Sequence, residues 1–383
     1  MHVQAHAVPG TVDPPARLFI GQSLRELPTP ALLLDVAAMR DNLAAMATWS
    51  KDHAAIRPHF KVHKSVHIAR EQIAAGAIGM TAATIWEAES LVAGGINDVL
   101  IANEVVGEAK LERLAGLARG ARMTVAVDHP DVVSALARAG QNQSSTVGVL
   151  VEVDVGMHRG GVRSIAQARS LAGVVAGIRG VELRGVMGYE GHVVLEPDRQ
   201  RRTDLAREAM DFLATYVQAL QDDGHRIEIV SAGGTNTYDM TGVHPCVTEL
   251  QAGTYAVVDH TYARLAPAFR PALSVLATVV SRNGGTAILD CGTKVVAVDV
   301  APPHSPIGRV REVHEEHTLL DVEEGGPPAV GEVLELVVGY SGGTVNLHDV
   351  YFVASGDEIV DVWPISARGP GWTNPRPTGG AGR

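Results

Sequence analysis

Short runs of β-branched and apolar residues alternate, over the first two thirds of the chain, with alanine-rich stretches whose apolar positions recur at helical spacing. The runs predict strands ending near Lys61, Thr81, Asn103, Asp128, Val153, Gly188, Ser231 and Gly253. The helical spacing predicts helices over 64–75, 85–94, 107–117, 130–138, 164–175 and 198–223. Strands separated by helices imply a parallel sheet, and eight of them is the count of a (β/α)8 TIM barrel in the α/β class. An open doubly wound sheet is the alternative, but no Gly-x-Gly-x-x-Gly opens a helix after the first strand.

Beyond about residue 266 the pattern changes. Strand-like runs at 272–281, 286–291, 295–300, 318–322, 332–338, 350–354 and 358–363 are separated by Gly and Pro clusters, with almost no helical spacing. The expected organisation is an N-terminal segment (1–28) packing on a β-domain, a barrel (29–265), the C-terminal β-domain (266–366) and a loose Gly-, Pro- and Arg-rich tail (367–383).

Composition narrows the function classes. A formal net charge of −11 argues against nucleic acid and anionic membrane surfaces, both of which select for basic patches. Two cysteines, Cys246 and Cys291, supply neither a disulfide framework nor a zinc signature, so a reducing cytoplasm is expected. The first twenty residues contain no long apolar run, which leaves no signal peptide or membrane span to expect there.

Against that acidity, Arg57-Pro58-His59-Phe60-Lys61-Val62-His63-Lys64 gathers five basic side chains. A lysine crowded by cations deprotonates easily and can form a Schiff base. On a strand, His59, Lys61 and His63 share a face. Further polar clusters fall at predicted strand ends, where barrel enzymes keep their active sites. Arg159 follows the fifth strand, Tyr189 and His192 the sixth, Ser231-Ala232-Gly233-Gly234-Thr235 the seventh and Gln251-Ala252-Gly253-Thr254-Tyr255 the eighth. Small residues and hydroxyls after strands seven and eight form the usual phosphate cradle of this fold. A reactive lysine at strand one with a phosphate cradle at seven and eight describes a site for pyridoxal phosphate.

The octet resembles the Arg-Pro-His-x-Lys-x-His-Lys signature of the D-threonine aldolase and D-serine dehydratase family, whose barrel is of the alanine racemase type. Further matching runs are Glu-x-Asp-x-Gly-x-x-Arg-x-Gly ending at Gly161, Gly-Tyr-x-Gly-His ending at His192, and Gly-Gly-Thr at 233–235. The runs at 248–253, 290–294 and 344–349 also match. The resemblance implies that Lys61 carries pyridoxal phosphate, that Tyr189 lies against it, and that Arg159 sits near the ring or substrate. It implies that Thr235, Gly253 and Thr254, with Tyr255, hold the phosphate. It also implies a homodimer.

One departure bears on the reaction. Family members hold a divalent metal, which binds the substrate's β-hydroxyl, by a His-x-Asp or His-x-Cys pair just ahead of Thr-Val-Asn. Here Tyr340 and Gly342 take those two places. Tyrosine is a poor ligand for such ions and glycine has no side chain, so no metal is expected. Tyr340, His192 or His63 would then handle the hydroxyl proton. The expected function is a D-threonine aldolase-like lyase on small D-β-hydroxy amino acids. The alternatives are a racemase or epimerase, a D-serine dehydratase-like ammonia-lyase, and a non-catalytic pyridoxal phosphate-binding protein.

Overall fold

The computed structural model describes residues 14–322 and 326–371. By compactness the chain divides into a barrel unit (44–61 and 69–253) and a β-rich unit (1–43, 62–68 and 254–383). The chain thus leaves the barrel unit directly after Lys61 and returns to it at Ala69.

The β-rich unit contains strand β1 (Ala31–Asp35), and the barrel unit contains β2 (Ala55–Ile56), β3 (Met80–Ala82), β4 (Asp98–Glu104), β5 (Arg122–Val127), β6 (Val147–Glu152), β7 (Val181–Gly188), β8 (Ile229–Ala232) and β9 (Glu249–Leu250). The barrel strands pair in parallel in the order β2-β9-β8-β7-β6-β5-β4-β3. A parallel bridge between His59 and Thr81 joins the two ends of that order and closes the barrel. This is the expected (β/α)8 barrel. Leu100, Ala126, Leu150, Met187 and Ile229, one from each of five successive strands, pack into a shared core cluster. The intervening helices start where polar caps allow: Thr84 accepts from the Glu87 N–H, Ser164 from Gln167, and Asp198 from Arg201.

The first barrel strand is shorter than the run that predicts it. Only Ala55 and Ile56 form regular strand, the pairing continues as single bonds from the Arg57 and His59 N–H groups to Leu250 and Ala252, and Lys61 lies in a 3-10 turn, Phe60–Val62. Pro58 lacks an N–H for a continuing ladder.

In the β-rich unit, β10 (Leu273–Asn283), β11 (Thr286–Leu289), β12 (Arg309–Val313), β13 (Thr318–Asp321), β14 (Val333–Val337), β15 (Val350–Ser355) and β16 (Glu358–Pro364) follow. The sheet runs β12-β13-β11-β10-β1-β15-β16, with β14 also on β10. Strand β1 falls within the range expected for the barrel, yet it pairs antiparallel with β10 and parallel with β15. Its Leu33 joins Leu276, Ile359 and Val362 in one core cluster. Between residues 14 and 28, Gly21 and Leu24 donate to the carbonyls of Ile359 and Asp357. The valine-rich run at 295–300 is a turn rather than the expected strand, because Val295 and Val296 both donate back to the Gly292 carbonyl. The tail positions 372–383 and the first thirteen residues lie outside the described residues.

Candidate active site

The octet at 57–64 disperses once folded. The Arg57 Nε donates to both Glu249 oxygens at 3.0 and 2.9 Å, and its Nη1 to Asp98 Oδ1 at 2.6 Å. That guanidinium is buried and its charge is matched by carboxylates. His59 is buried beside the closing bridge. His63 is wholly buried in the β-rich unit, its Nδ1 accepting from the Ser65 N–H and its carbonyl from the Tyr351 hydroxyl. Lys64 has a left-handed backbone, φ 50°, and its Nζ donates to the Ala367 carbonyl.

Lys61 keeps a solvent-exposed side chain. Crowding by protein lowers its pKa first, the Arg159 charge adds to this, and Glu87 opposes it. The cation that tunes the lysine thus comes from the loop after β6 rather than from its own octet. The Lys61 Nζ also lies 5.7 Å from the centre of the Tyr189 ring. Tyr189 is fixed by its neighbours: a Cβ on Gly191 would meet the ring at 2.4 Å, and one on Gly234 at 3.4 Å. That contact explains the second glycine of Gly-Tyr-x-Gly-His. His192 is exposed, and its imidazole lies over Gly156. Lys61, Arg159, Tyr189 and His192 therefore all lie in the loops at the C-terminal ends of barrel strands, as does the buried Thr235.

The loop after β8 is organised by a residue that the motif reading passes over. Glu190 is wholly buried and accepts from the Gly233 N–H at 3.1 Å and the Thr237 hydroxyl at 2.7 Å, and also from the Thr241 hydroxyl. The Gly234 N–H donates to Thr237 Oγ1 at 3.1 Å. Both glycine amides are thus used within the loop, which holds Thr235 in place. After β9, Gln251 donates to Ser231 Oγ at 2.9 Å. Gly253 is the last residue of the barrel unit, and Thr254 and Tyr255 start a buried 3-10 turn in the other.

Tyr340 belongs to the β-rich unit and is half-buried. Burial raises the pKa of its phenol, and the Asp299 and Asp259 charges raise it further. A Cβ on Gly342 would sit 3.3 Å from the Tyr340 Oη, so the phenol covers the space a ligating side chain at 342 would start from. Asp259 holds this turn, accepting from the Ser341 N–H at 2.8 Å, while the Ser341 hydroxyl donates to the Val257 carbonyl. A protonated phenol over a glycine does not fit a divalent cation at these two positions. Among the described residues, no three His, Cys, Asp or Glu side chains gather as a metal-holding group.

An alanine racemase N-terminal domain matches residues 34–260, and a putative serine dehydratase domain matches 272–354. The D-threonine aldolase of an Arthrobacter species is 38% identical over 94% of this chain and 97% of its own. The chain belongs to this aldolase and dehydratase family. A 3-hydroxy-D-aspartate aldolase of Paracoccus denitrificans (strain Pd 1222) is 33% identical over 92% of the chain and 95% of its own. The crystal structure of D-threonine aldolase from Filomicrobium marinum superposes with a TM-score of 0.89 at 37% identity, covering 91% of this chain and 98% of that one. Family members of this kind are lyases, and the chain is an enzyme of the same type.

Proposed function

We propose that this enzyme cleaves the Cα–Cβ bond of small D-β-hydroxy amino acids with pyridoxal phosphate on Lys61, and without a divalent metal at positions 340 and 342. The observation that carries the reading is the environment of Lys61: an amine crowded by protein and beside Arg159, with Tyr189 against it. Those groups fit the cofactor, since an amine held away from protonation is what an aldehyde needs. When bound, pyridoxal phosphate supplies an electron sink for the bond broken at the α-carbon.

The chain's own residues supply the rest. Lys61 would hold the aldehyde carbon, and Tyr189 and Arg159 would border the ring. Thr235, Gly253, Thr254 and Tyr255 are assigned to the phosphate on the strength of the family runs. The β-hydroxyl must lose a proton as the bond breaks. Tyr340, its pKa raised, keeps its proton and serves as a hydrogen-bond donor to the substrate oxygen. His192, exposed in the loop after β7, is the base we assign. Buried His63 is a positioning residue, holding the chain just after Lys61. The family resemblance further supports a homodimer. The two free cysteines agree with a reducing cytoplasm, and among the described residues no helix is long and apolar enough to cross a membrane.

Loaded protein incubated with D-threonine, D-phenylserine and D-serine in chelator tests the reading. Glycine plus the matching aldehyde is expected from the first two. Keto acid and ammonia would make it a dehydratase, and loss of optical rotation alone a racemase. No turnover would leave a binding protein, and activity lost to chelator and restored by manganese would overturn the metal-free assignment.

A further inference from the structure

Three carboxyl groups stand at the ends of consecutive barrel strands: Glu104 closes β4, Asp128 follows β5 and Glu152 closes β6. The loop after β6 folds back over them. The Val162 N–H returns to the Glu152 carbonyl, the Asp154 N–H to the Val162 carbonyl, and the Gly161 N–H donates to Asp128 Oδ2 at 3.1 Å. Gly160 approaches so closely that a Cβ there would lie 2.8 Å from Glu104 Oε1. This fold-back is what delivers Arg159 to the neighbourhood of the carboxyls and of Lys61.

Asp128 is answered by the Gly161 amide, but the other two are not fully answered. Glu104 Oε1 and Glu152 Oε2 are both buried and neither meets a donor. The Glu152 residue is only 6% exposed. At neutral pH one proton between two carboxylates at such a place satisfies both oxygens. Burial, then Glu104 by hydrogen bond and by charge, push Glu152 up to about 8; Arg159 opposes this and Asp128 adds to it. Nearby Asp154 is engaged by Arg163 and His158.

We infer that Glu104 and Glu152 share a single proton and form a positioning pair that acts, through the field of Arg159, on the charge state of Lys61. With one proton the pair carries one negative charge. When that proton leaves, the second charge offsets Arg159 and favours the ammonium form of Lys61. Glu87 and Tyr189 also face the lysine. The inference rests on Lys61 as the reactive amine only for its catalytic consequence, since the titration belongs to the protein without cofactor.

The test uses cofactor-free protein. Acetylation of Lys61 by acetic anhydride is followed by peptide mass spectrometry across pH, and the infrared carboxyl C=O band is recorded alongside. Glu152→Gln and Glu104→Gln each leave one permanent negative charge. Both should match the parent chain at about pH 7 and acetylate Lys61 about two- to fivefold faster at about pH 9. The parent chain should show a protonated-carboxyl band that bleaches around pH 8, absent from either variant. If one variant fails to fold, the other carries the same prediction. No such band at about pH 7, or equal Lys61 rates in all three proteins at about pH 9, overturns the pair. Neither outcome depends on whether Lys61 binds pyridoxal phosphate, which a separate trapping experiment decides.

Discussion

An ammonium group gives up its proton more readily when protein atoms crowd it and when another cation stands near. Lys61 meets both conditions, the second through Arg159. Arg57, four residues before it, contributes nothing of the kind because Glu249 and Asp98 take up its charge. Breaking a buried pair of this sort is costly, so Arg57 is a structural residue of the barrel unit. Asp259 has the opposite problem to Lys61. It is wholly buried and pushed up to about 6 by that burial, while N–H donors including Tyr262 and Ser341 hold it down. Between its ordinary value of 3.8 and about 6, the folded state binds the proton more readily than the unfolded chain. Stability contributed by this residue therefore falls as pH rises through that window and levels off above it. In chemical denaturation, the stability of the parent chain relative to Asp259→Asn should decline from about pH 4 to about pH 6; a flat difference would contradict the assignment.

At the level of elements, the loop after β8 illustrates how a glycine-rich turn is held in place: Glu190 fastens it at the Gly233 amide and at two threonine hydroxyls. Glu190→Gln replaces one of the two acceptor oxygens by an NH2 donor, so the three donors that converge on this side chain can no longer all be answered. We expect about tenfold weaker pyridoxal phosphate binding in equilibrium dialysis, with the fold kept by circular dichroism. Unchanged affinity would show that the loop stands without this carboxylate. The sequence exposed such loops because Gly, Ser and Thr at strand ends have local meaning. It did not expose Glu190 or Glu104, nor the burial of Glu152 within its run, because their partners lie far off in the chain: an acidic residue beside a motif reads as a solvated charge until folding buries it. Short elements were hidden for a related reason. Strand β1 runs into the helix Val36–Ser50 without a turn between them, and the run at 295–300 has strand composition but closes on itself through Gly292.

Across the whole chain, the barrel was legible because eight strands of alternating pattern leave few other closures, and the order of the family runs agreed with it. The division into units was less so, since segments distant in sequence, 1–43, 62–68 and 254–383, make up one unit. Local periodicity reports an element's type and says little of its partners. Lys61 stands at one of these crossings, as the last residue of a barrel segment. Its role is the point on which the account turns. Borohydride reduction of the loaded enzyme, followed by peptide mass mapping, should place the cofactor's mass on Lys61, and Lys61→Ala should lose both the label and the visible band that reduction removes. Label on Lys64 instead, or a reducible band that persists in Lys61→Ala, would contradict it.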